Sequence, residues 1–332
     1  MGIRYNRGYE EVGMGMELRQ GGAAATEDAR IQRYRGAERR FWNHCGLEPK
    51  ERFIELNSPA ARLRVLEVGS GEAILFVHGT AGAGPVWAPI AKELEGFRCF
   101  FLDRPGWGLS SAIDYSRSEY KTLVADVLTG TLDALGVEKA HVIGGSIGNL
   151  WALRLAQARP SRVERVVLMG GGPLVSGIEV PPFIKLLSSP LGAVMARLPE
   201  KPARVLSIVR GNGHGASVDA GRMDEFIEWR VALGRETASL RHERDMVRSI
   251  VEWRRGSFRP GLLMGDEEVA GIEPPTLLVY GTEDPVGSVE RWKRFVALLP
   301  QGELRVVDGS GHMPWLDDPG RVGGFVRGFL RH

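Results

Sequence analysis

Gly144-Gly145-Ser146-Ile147-Gly148 sets a serine among small residues in this 332-residue chain, a pattern suited to nucleophilic catalysis. It lies between an apolar run at 140–143 and a helix-like run at 149–158. A Gly-x-Ser-x-Gly between a strand and a helix is the sequence form of a nucleophile elbow. So sharp a turn leaves almost no room for side chains beside the serine and pushes the serine out at the carboxyl edge of a sheet. Serine is a weak nucleophile at neutral pH, so it needs a base in hydrogen-bond reach and a carboxylate to orient that base. In a chain with 44 glycines the pentapeptide is a modest signal by itself. Its meaning depends on whether the other groups are delivered to the same edge.

Among the seven histidines, His312 stands in the loop Asp308-Gly309-Ser310-Gly311-His312-Met313-Pro314, just after the strand-like run 304–307. That places a base at the carboxyl side of the last strand. The run 276–280 ends in Gly281-Thr282-Glu283-Asp284-Pro285. Asp284 is preferred as the acid over Glu283, because Pro285 fixes the turn after it. The loop after the run 163–169 reads Gly170-Gly171-Gly172-Pro173 and has no carboxylate to give. An oxyanion needs two preorganised backbone N–H donors. The Ile147 amide is one, at a helix start where the dipole favours negative charge. The Thr80 amide, in the loop His78-Gly79-Thr80-Ala81-Gly82-Ala83-Gly84, is the other. That glycine-rich loop lacks the Gly-Lys-Ser/Thr ending of a phosphate-binding loop.

The elements that must hold these groups follow from periodicity. Short apolar runs at 73–77, 99–102, 140–143, 163–169, 276–280 and 304–307 alternate with helical patterns at 86–94, 120–135, 150–158 and 289–299. Near-continuous apolar strands between amphipathic helices describe a mostly parallel sheet with helices on both faces, an α/β fold. The alternating segments 52–56 and 63–68 suit an antiparallel edge, and a helix over 325–330 closes the chain. Residues 1–25 read as a flexible leader. A helix is predicted over 26–45, capped by Thr26, whose Arg30, Arg33, Arg35, Arg39 and Arg40 form a solvated face with Glu27, Asp28 and Glu38. The segment 173–270 breaks the alternation with helical pieces at 183–198, 223–233 and 236–255 and no clear strand signal. It is expected to form a helical cap, or lid, over the strand ends. The implied organisation is a leader and helix at 1–50, a core at 51–172 and 271–332, and the cap at 173–270. Phe183, Leu186, Leu187, Leu191, Met195 and Leu198 form an apolar stripe, from which Phe183, Leu187 and Met195 are expected in a substrate pocket. His214, in Gly211-Asn212-Gly213-His214-Gly215, is expected to reach that pocket as well.

Composition narrows the function classes. Lys and Arg total 43 against 41 Asp and Glu, a net charge of +2. No overall field points to nucleic acid or an anionic membrane. The two cysteines, Cys45 and Cys99, have neither disulfide-framework nor metal-ligand spacing. No secretory apolar region or membrane span is apparent. The expectation is a soluble, cytoplasmic monomer or homodimer acting on a small, apolar acyl compound without metal or cofactor.

The order Ser146, Asp284, His312 resembles that of the α/β-hydrolase superfamily. So do the phrases LFVHG at 75–79, DRPGWGLS at 103–110, GGSIG at 144–148, YGTEDP at 280–285 and GSGHMP at 309–314. The resemblance covers about 60–172 and 270–332. It implies a capped Ser-His-Asp hydrolase, with His78 structural and Asp103-Arg104 shaping a turn after a strand. Haloalkane dehalogenases and epoxide hydrolases carry an aspartate at the elbow, so Ser146 sets them aside. Gly145 stands where many relatives have a larger residue, and the extended oxyanion-loop motif of homoserine acyltransferases is absent. The expected reaction is cleavage of an ester, lactone or related acyl bond through an acyl-enzyme, as in carboxylesterases. Carbon–carbon bond hydrolysis by the same triad, and a ligand-binding receptor on a hydrolase fold, stand as alternatives.

Overall fold

The structure, a computed structural model, describes residues 10–80, 82–116, 119–171, 175–195 and 198–332, without the side chains of 10–25 and of Phe183. The strands are β1 (Lys50–Asn57), β2 (Ala60–Gly69), β3 (Glu72–Val77), β4 (Phe97–Leu102), β5 (Ala140–Gly145) and β6 (Val163–Met169). They are followed by a two-residue hairpin, β7 (Val251–Glu252) and β8 (Ser257–Phe258), and then by β9 (Thr276–Gly281) and β10 (Gly302–Val307). Eight of them form one sheet in the order β1-β2-β4-β3-β5-β6-β9-β10. β1 and β2 pair antiparallel, as do β2 and β4, and every later pair is parallel. This is an α/β-hydrolase fold.

The apolar runs are continuous because both faces of the sheet are covered. Successive side chains of a strand point to opposite faces. Leu75 and Val77 of β3 therefore join one core with the helices Tyr120–Ala134 and Ile147–Ala158. Ile74 and Phe76 join the other, with Trp42, Trp87 and the helix Pro319–Leu330. Burying both sets of apolar atoms is the main force holding the layers together. The chain leaves β3 toward β4 on one side and reaches β5 on the other. At such a reversal of strand order a crevice opens beyond the carboxyl ends. The loops after β3 and β5 flank that crevice.

Several expectations are corrected. The first helix spans Glu10–His44, so its backbone begins well before Thr26, within what reads as a flexible leader; residues 1–9 lie outside the described residues. Ala23–Ala25 and the Met, Glu, Leu and Arg residues of that stretch are good helix formers and outweigh its glycines. Its arginines meet more than solvent: Arg33 pairs with Glu236 at 2.8 Å, Arg40 with Glu228, and Arg35 with Glu51 at 2.9 Å. The pattern at 183–198 is two helices, Pro182–Ser188 and Pro190–Met195, because Pro190 lacks an N–H and disfavours a helical Ser189. The helical pattern at 236–255 stops at Ile250 and turns into the β7–β8 hairpin. The expected helix at 86–94 is a short turn, Gly84–Trp87, and one helical turn, Ala88–Ala91. No helix of the described residues is long and apolar enough to cross a membrane.

Candidate active site

Ser146 has φ 55° and ψ −122°, the one positive φ at a non-glycine among the described residues. Such a backbone is costly for an L-residue and persists only where its surroundings force it. Here bare glycines let them do so. A Cβ on Gly144 would lie 2.5 Å from the Gly148 carbonyl oxygen. One on Gly145 would meet the ring edges of Trp87 at 2.9 Å and Trp315 at 3.1 Å. One on Gly148 would press on the Val77 carbonyl of β3, and one on Gly79 would sit 2.9 Å from Ser146 Cβ. The Ser146 amide donates to the Met169 carbonyl at 3.1 Å. Buried Asn149, three residues on, donates through Nδ2 to the same carbonyl at 3.2 Å and accepts from the Met169 amide at 3.1 Å. Its side chain thus extends the ladder of β6 and locks the elbow helix to the sheet. Asn149 escapes pattern reading; the available signal is one amide in an otherwise apolar run, Leu150–Leu153 following.

His312 follows β10, and its Nδ1 lies 3.0 Å from both Asp284 oxygens. The Gly171 amide lies 3.3 Å from the same nitrogen. Nδ1 can either accept the Gly171 amide or carry a proton and donate, and the two shorter contacts to a buried carboxylate, which only accepts, decide for Nδ1–H. Nε2 is then the atom free to accept a proton. Asp284 also accepts from the Val286 amide at 2.8 Å, which fixes the carboxylate. The Gly170-Gly171 pair after β6 gives no acid, yet it matters sterically. A Cβ on Gly170 would drive into the His312 carbonyl, and one on Gly171 would lie 2.7 Å from Val286 Cγ1 and 3.1 Å from Asp284 Oδ2.

Ser146 and His312 share one cavity of about 540 Å³, lined also by Gly79, Thr80, Ile147 and Trp315 among others. That is within the range of small-molecule sites. Another hollow, of about 500 Å³, lies at the amino ends of β6, β9 and β10, around Arg165, Pro275 and Gly302, away from the elbow. The segment between β6 and β9 supplies the far wall of the larger cavity, and Leu187 and Met195 are part of it. Leu191 and Leu198 are largely exposed, and the side chain of Phe183 lies outside the described residues. His214 does not reach the cavity as expected. It is fully buried, with Nδ1 2.7 Å from Asp317 Oδ2 and Nε2 accepting the Met313 amide at 3.2 Å. These two backbone and side-chain partners hold it behind the wall.

Sequence reading also misses charged groups on that wall. Phe226 and Arg230, four residues apart on the helix Asp224–Glu236, both line the cavity, as do Glu200, Arg204 and Glu243. Glu200 lies 3.8 Å from Arg230 Nη1 and 3.7 Å from Arg204 Nε. Arg230 Nη1 and Glu200 Oε1 are buried without a hydrogen-bond partner among the described residues. Burial holds the Arg230 guanidinium below its ordinary range, opposed by Glu243 and Glu200. The adjoining side of this helix packs on the first helix, and Phe226 touches both surfaces. Phe41 stacks on Trp229 at 5.6 Å and meets Phe226 edge-on at 5.9 Å.

His78 is buried and does not line the cavity. Its Nε2 accepts the Arg104 amide at 3.0 Å, and its Nδ1 lies 2.8 Å from the Gly79 carbonyl. Burial and the nearby Arg104 charge hold it well below the ordinary imidazole range. Asp103 receives the Gly84 and Leu109 amides at 2.7 and 3.1 Å, tying the loops after β3 and β4 together. Among the described residues, no group of three or more His, Cys, Asp and Glu side chains is placed to hold a metal ion.

A family model described as alpha/beta hydrolase fold matches residues 72–319. A 2-hydroxy-6-oxononadienedioate/2-hydroxy-6-oxononatrienedioate hydrolase of Pseudomonas putida is 28% identical over 284 residues, covering 82% of this chain and 92% of that protein. One of Burkholderia vietnamiensis is 29% identical over 84% of this chain and 95% of its own. Among solved structures, carboxylesterase CesB from Bacillus subtilis superposes with a TM-score of 0.69 at 19% identity, over 91% of this chain and 98% of its own. The 2-hydroxy-6-oxo-6-phenylhexa-2,4-dienoate hydrolase from Rhodococcus sp. strain RHA1 gives 0.71 at 20% identity, over 86% and 99%.

Proposed function

The chain belongs to the α/β-hydrolase family, and from that premise we propose that it is a serine hydrolase cleaving an acyl bond with Ser146, His312 and Asp284. The observation that carries this reading is the strained Ser146 on one cavity with an imidazole whose Nδ1 is committed to Asp284. Ser146 Oγ attacks the carbonyl while His312 Nε2 takes its proton and returns it to the leaving group. Asp284 holds the tautomer and stabilises the imidazolium. The Ile147 and Thr80 amides receive the oxyanion. Water then hydrolyses the acyl-enzyme. The segment between β6 and β9 is the cap, and it sets what the serine meets.

For substrate, an ester or lactone with an apolar acyl group fits the wall around Leu187, Met195 and Phe226. A second reading, carbon–carbon hydrolysis of an acidic oxo-dienoate, is favoured by the spare Arg230 N–H on the cavity and by the relatives' names. A guanidinium edge matches a carboxylate. Two substrates separate the readings: a panel of p-nitrophenyl esters, and a 2-hydroxy-6-oxodienoate followed by loss of its absorbance. Ser146→Ala should lower turnover on the favoured substrate by about 10⁴-fold or more. Retention of activity in that variant overturns the nucleophile. Stoichiometric fluorophosphonate labelling with negligible turnover of every substrate would instead support a receptor.

A further inference from the structure

His214 and Asp317 form a second histidine–aspartate pair, and it lies against the backbone of the first. Three consecutive amides of the His312 loop are held by it or by its neighbour in the cap. Gly311 N–H donates to Asp317 Oδ2 at 2.8 Å, His312 N–H to the Asn212 carbonyl at 2.8 Å, and Met313 N–H to His214 Nε2 at 3.2 Å. His214 Nδ1 donates to Asp317 Oδ2 at 2.7 Å, and Ser217 Oγ donates to Oδ1 at 2.6 Å. Both His214 nitrogens are thereby used, and no edge of the ring is left for substrate.

The cap reaches this place through the turn Arg210–His214, which is wedged between the loops of the acid and the base. Gly213 has φ +87°, and a Cβ there would lie 2.8 Å from the Glu283 carbonyl carbon and 2.9 Å from Gly311 Cα. A Cβ on Gly311 would lie 2.7 Å from the Gly213 carbonyl carbon and 2.9 Å from His214 Cε1. Two bare backbones in contact make the wedge tight. Burial would raise the Asp317 carboxyl, yet the hydrogen bonds it accepts from His214, Ser217 and the Gly311 amide hold it below the usual carboxylate range. The anionic carboxylate is therefore the form built into this junction.

We propose that the buried His214–Asp317 pair is a positioning element that sets where His312 stands, so that docking of the cap and alignment of the triad are one event. The proposal rests on His312 being the base. Loss of the pair leaves the cavity walls in place but frees the loop carrying the imidazole. A displacement of about 1 Å at a reacting group costs on the order of 10²-fold in rate.

The experiment uses the full chain and p-nitrophenyl acetate, too small to depend on the cap for binding. His214→Phe and Asp317→Asn should lower kcat about 10- to 100-fold with KM changed less than about threefold, and slow fluorophosphonate labelling in parallel. His214→Gln, which keeps an acceptor for the Met313 amide, should recover most of the loss. Ser217→Ala, a milder change for use should His214→Phe not fold, should lower kcat several-fold. Unchanged kcat in folded His214→Phe or in Ser217→Ala, or a His214→Gln no better than His214→Phe, overturns the proposal. His312→Ala, measured alongside, separates the two failures. Retained activity there removes the triad itself, whereas its loss beside an unaffected His214→Phe removes only the positioning role.

Discussion

Gly148→Ala adds one methyl group at the most crowded point beneath the elbow. The new Cβ would press on the Val77 carbonyl, with that carbon at 2.9 Å and the His78 oxygen at 3.0 Å. All of these are backbone atoms, so no side-chain rotation can relieve the contact. The start of the helix Ile147–Ala158 and the end of β3 must separate by roughly 1 Å. The proposed oxyanion donors stand on opposite sides of that contact, Ile147 on the helix and Thr80 on the loop leaving β3. Pushing them apart removes about one donor's worth of stabilisation, on the order of 10²- to 10³-fold in kcat. Overpacking adds a stability cost of about 1–3 kcal/mol. The measurements are kcat on a p-nitrophenyl ester, the rate of fluorophosphonate labelling and the urea midpoint. Gly324→Ala is the control: nothing lies within 4 Å of its added Cβ in the helix Pro319–Leu330, so it should gain up to about 1 kcal/mol and leave kcat alone. Gly148→Ala with wild-type kcat and midpoint would mean that the two backbones are not in contact at the elbow.

His78, His141 and His242 are all held below the ordinary imidazole range, in each case first by burial. The unfolded chain therefore takes up protons near pH 6.5 that the folded chain refuses, so their stabilisation is present above that pH and is lost as pH falls below it. The slope is at most about 1.4 kcal/mol per pH unit for each histidine. Urea midpoints should fall from pH 6.5 to 5.5, and less steeply in His78→Gln; a flat midpoint over that interval contradicts the assignment. Phe41→Ala removes the ring stacked on Trp229, whose helix carries Phe226 and Arg230 into the cavity. It should lower stability by about 3–5 kcal/mol and raise KM several-fold with a smaller change in kcat. An unchanged KM in the folded variant would show that the first helix does not restrain the segment between β6 and β9.

The uneven legibility of this chain has a physical origin. Ser146, Asp284 and His312 hang from the ends of β5, β9 and β10, whose apolar runs fix the strands and whose parallel pairing brings their carboxyl ends to one edge. A loop of a few residues cannot carry its side chain far from that edge, so position along the chain translates into position in space. The sheet and the meeting of Ser146, His312, Thr80 and Ile147 on one cavity were accordingly readable from pattern. The segment between β6 and β9 obeys no such rule. Arg230 faces the cavity and Trp229 faces Phe41 because two surfaces far apart in sequence pack against one helix, and periodicity names the faces without naming their partners. His214 shows the same limit. A loop histidine flanked by glycines reads as free to reach a ligand, yet Gly213 on one side of it and Gly311 opposite let the two backbones come close enough to enclose it. If the cap and the His312 loop are coupled as proposed, substrate choice and catalytic alignment are set by one interface. A sequence change in this segment that altered specificity would then have to preserve the turn Arg210–His214, which packs against the backbone of both Glu283 and Gly311, next to Asp284 and His312.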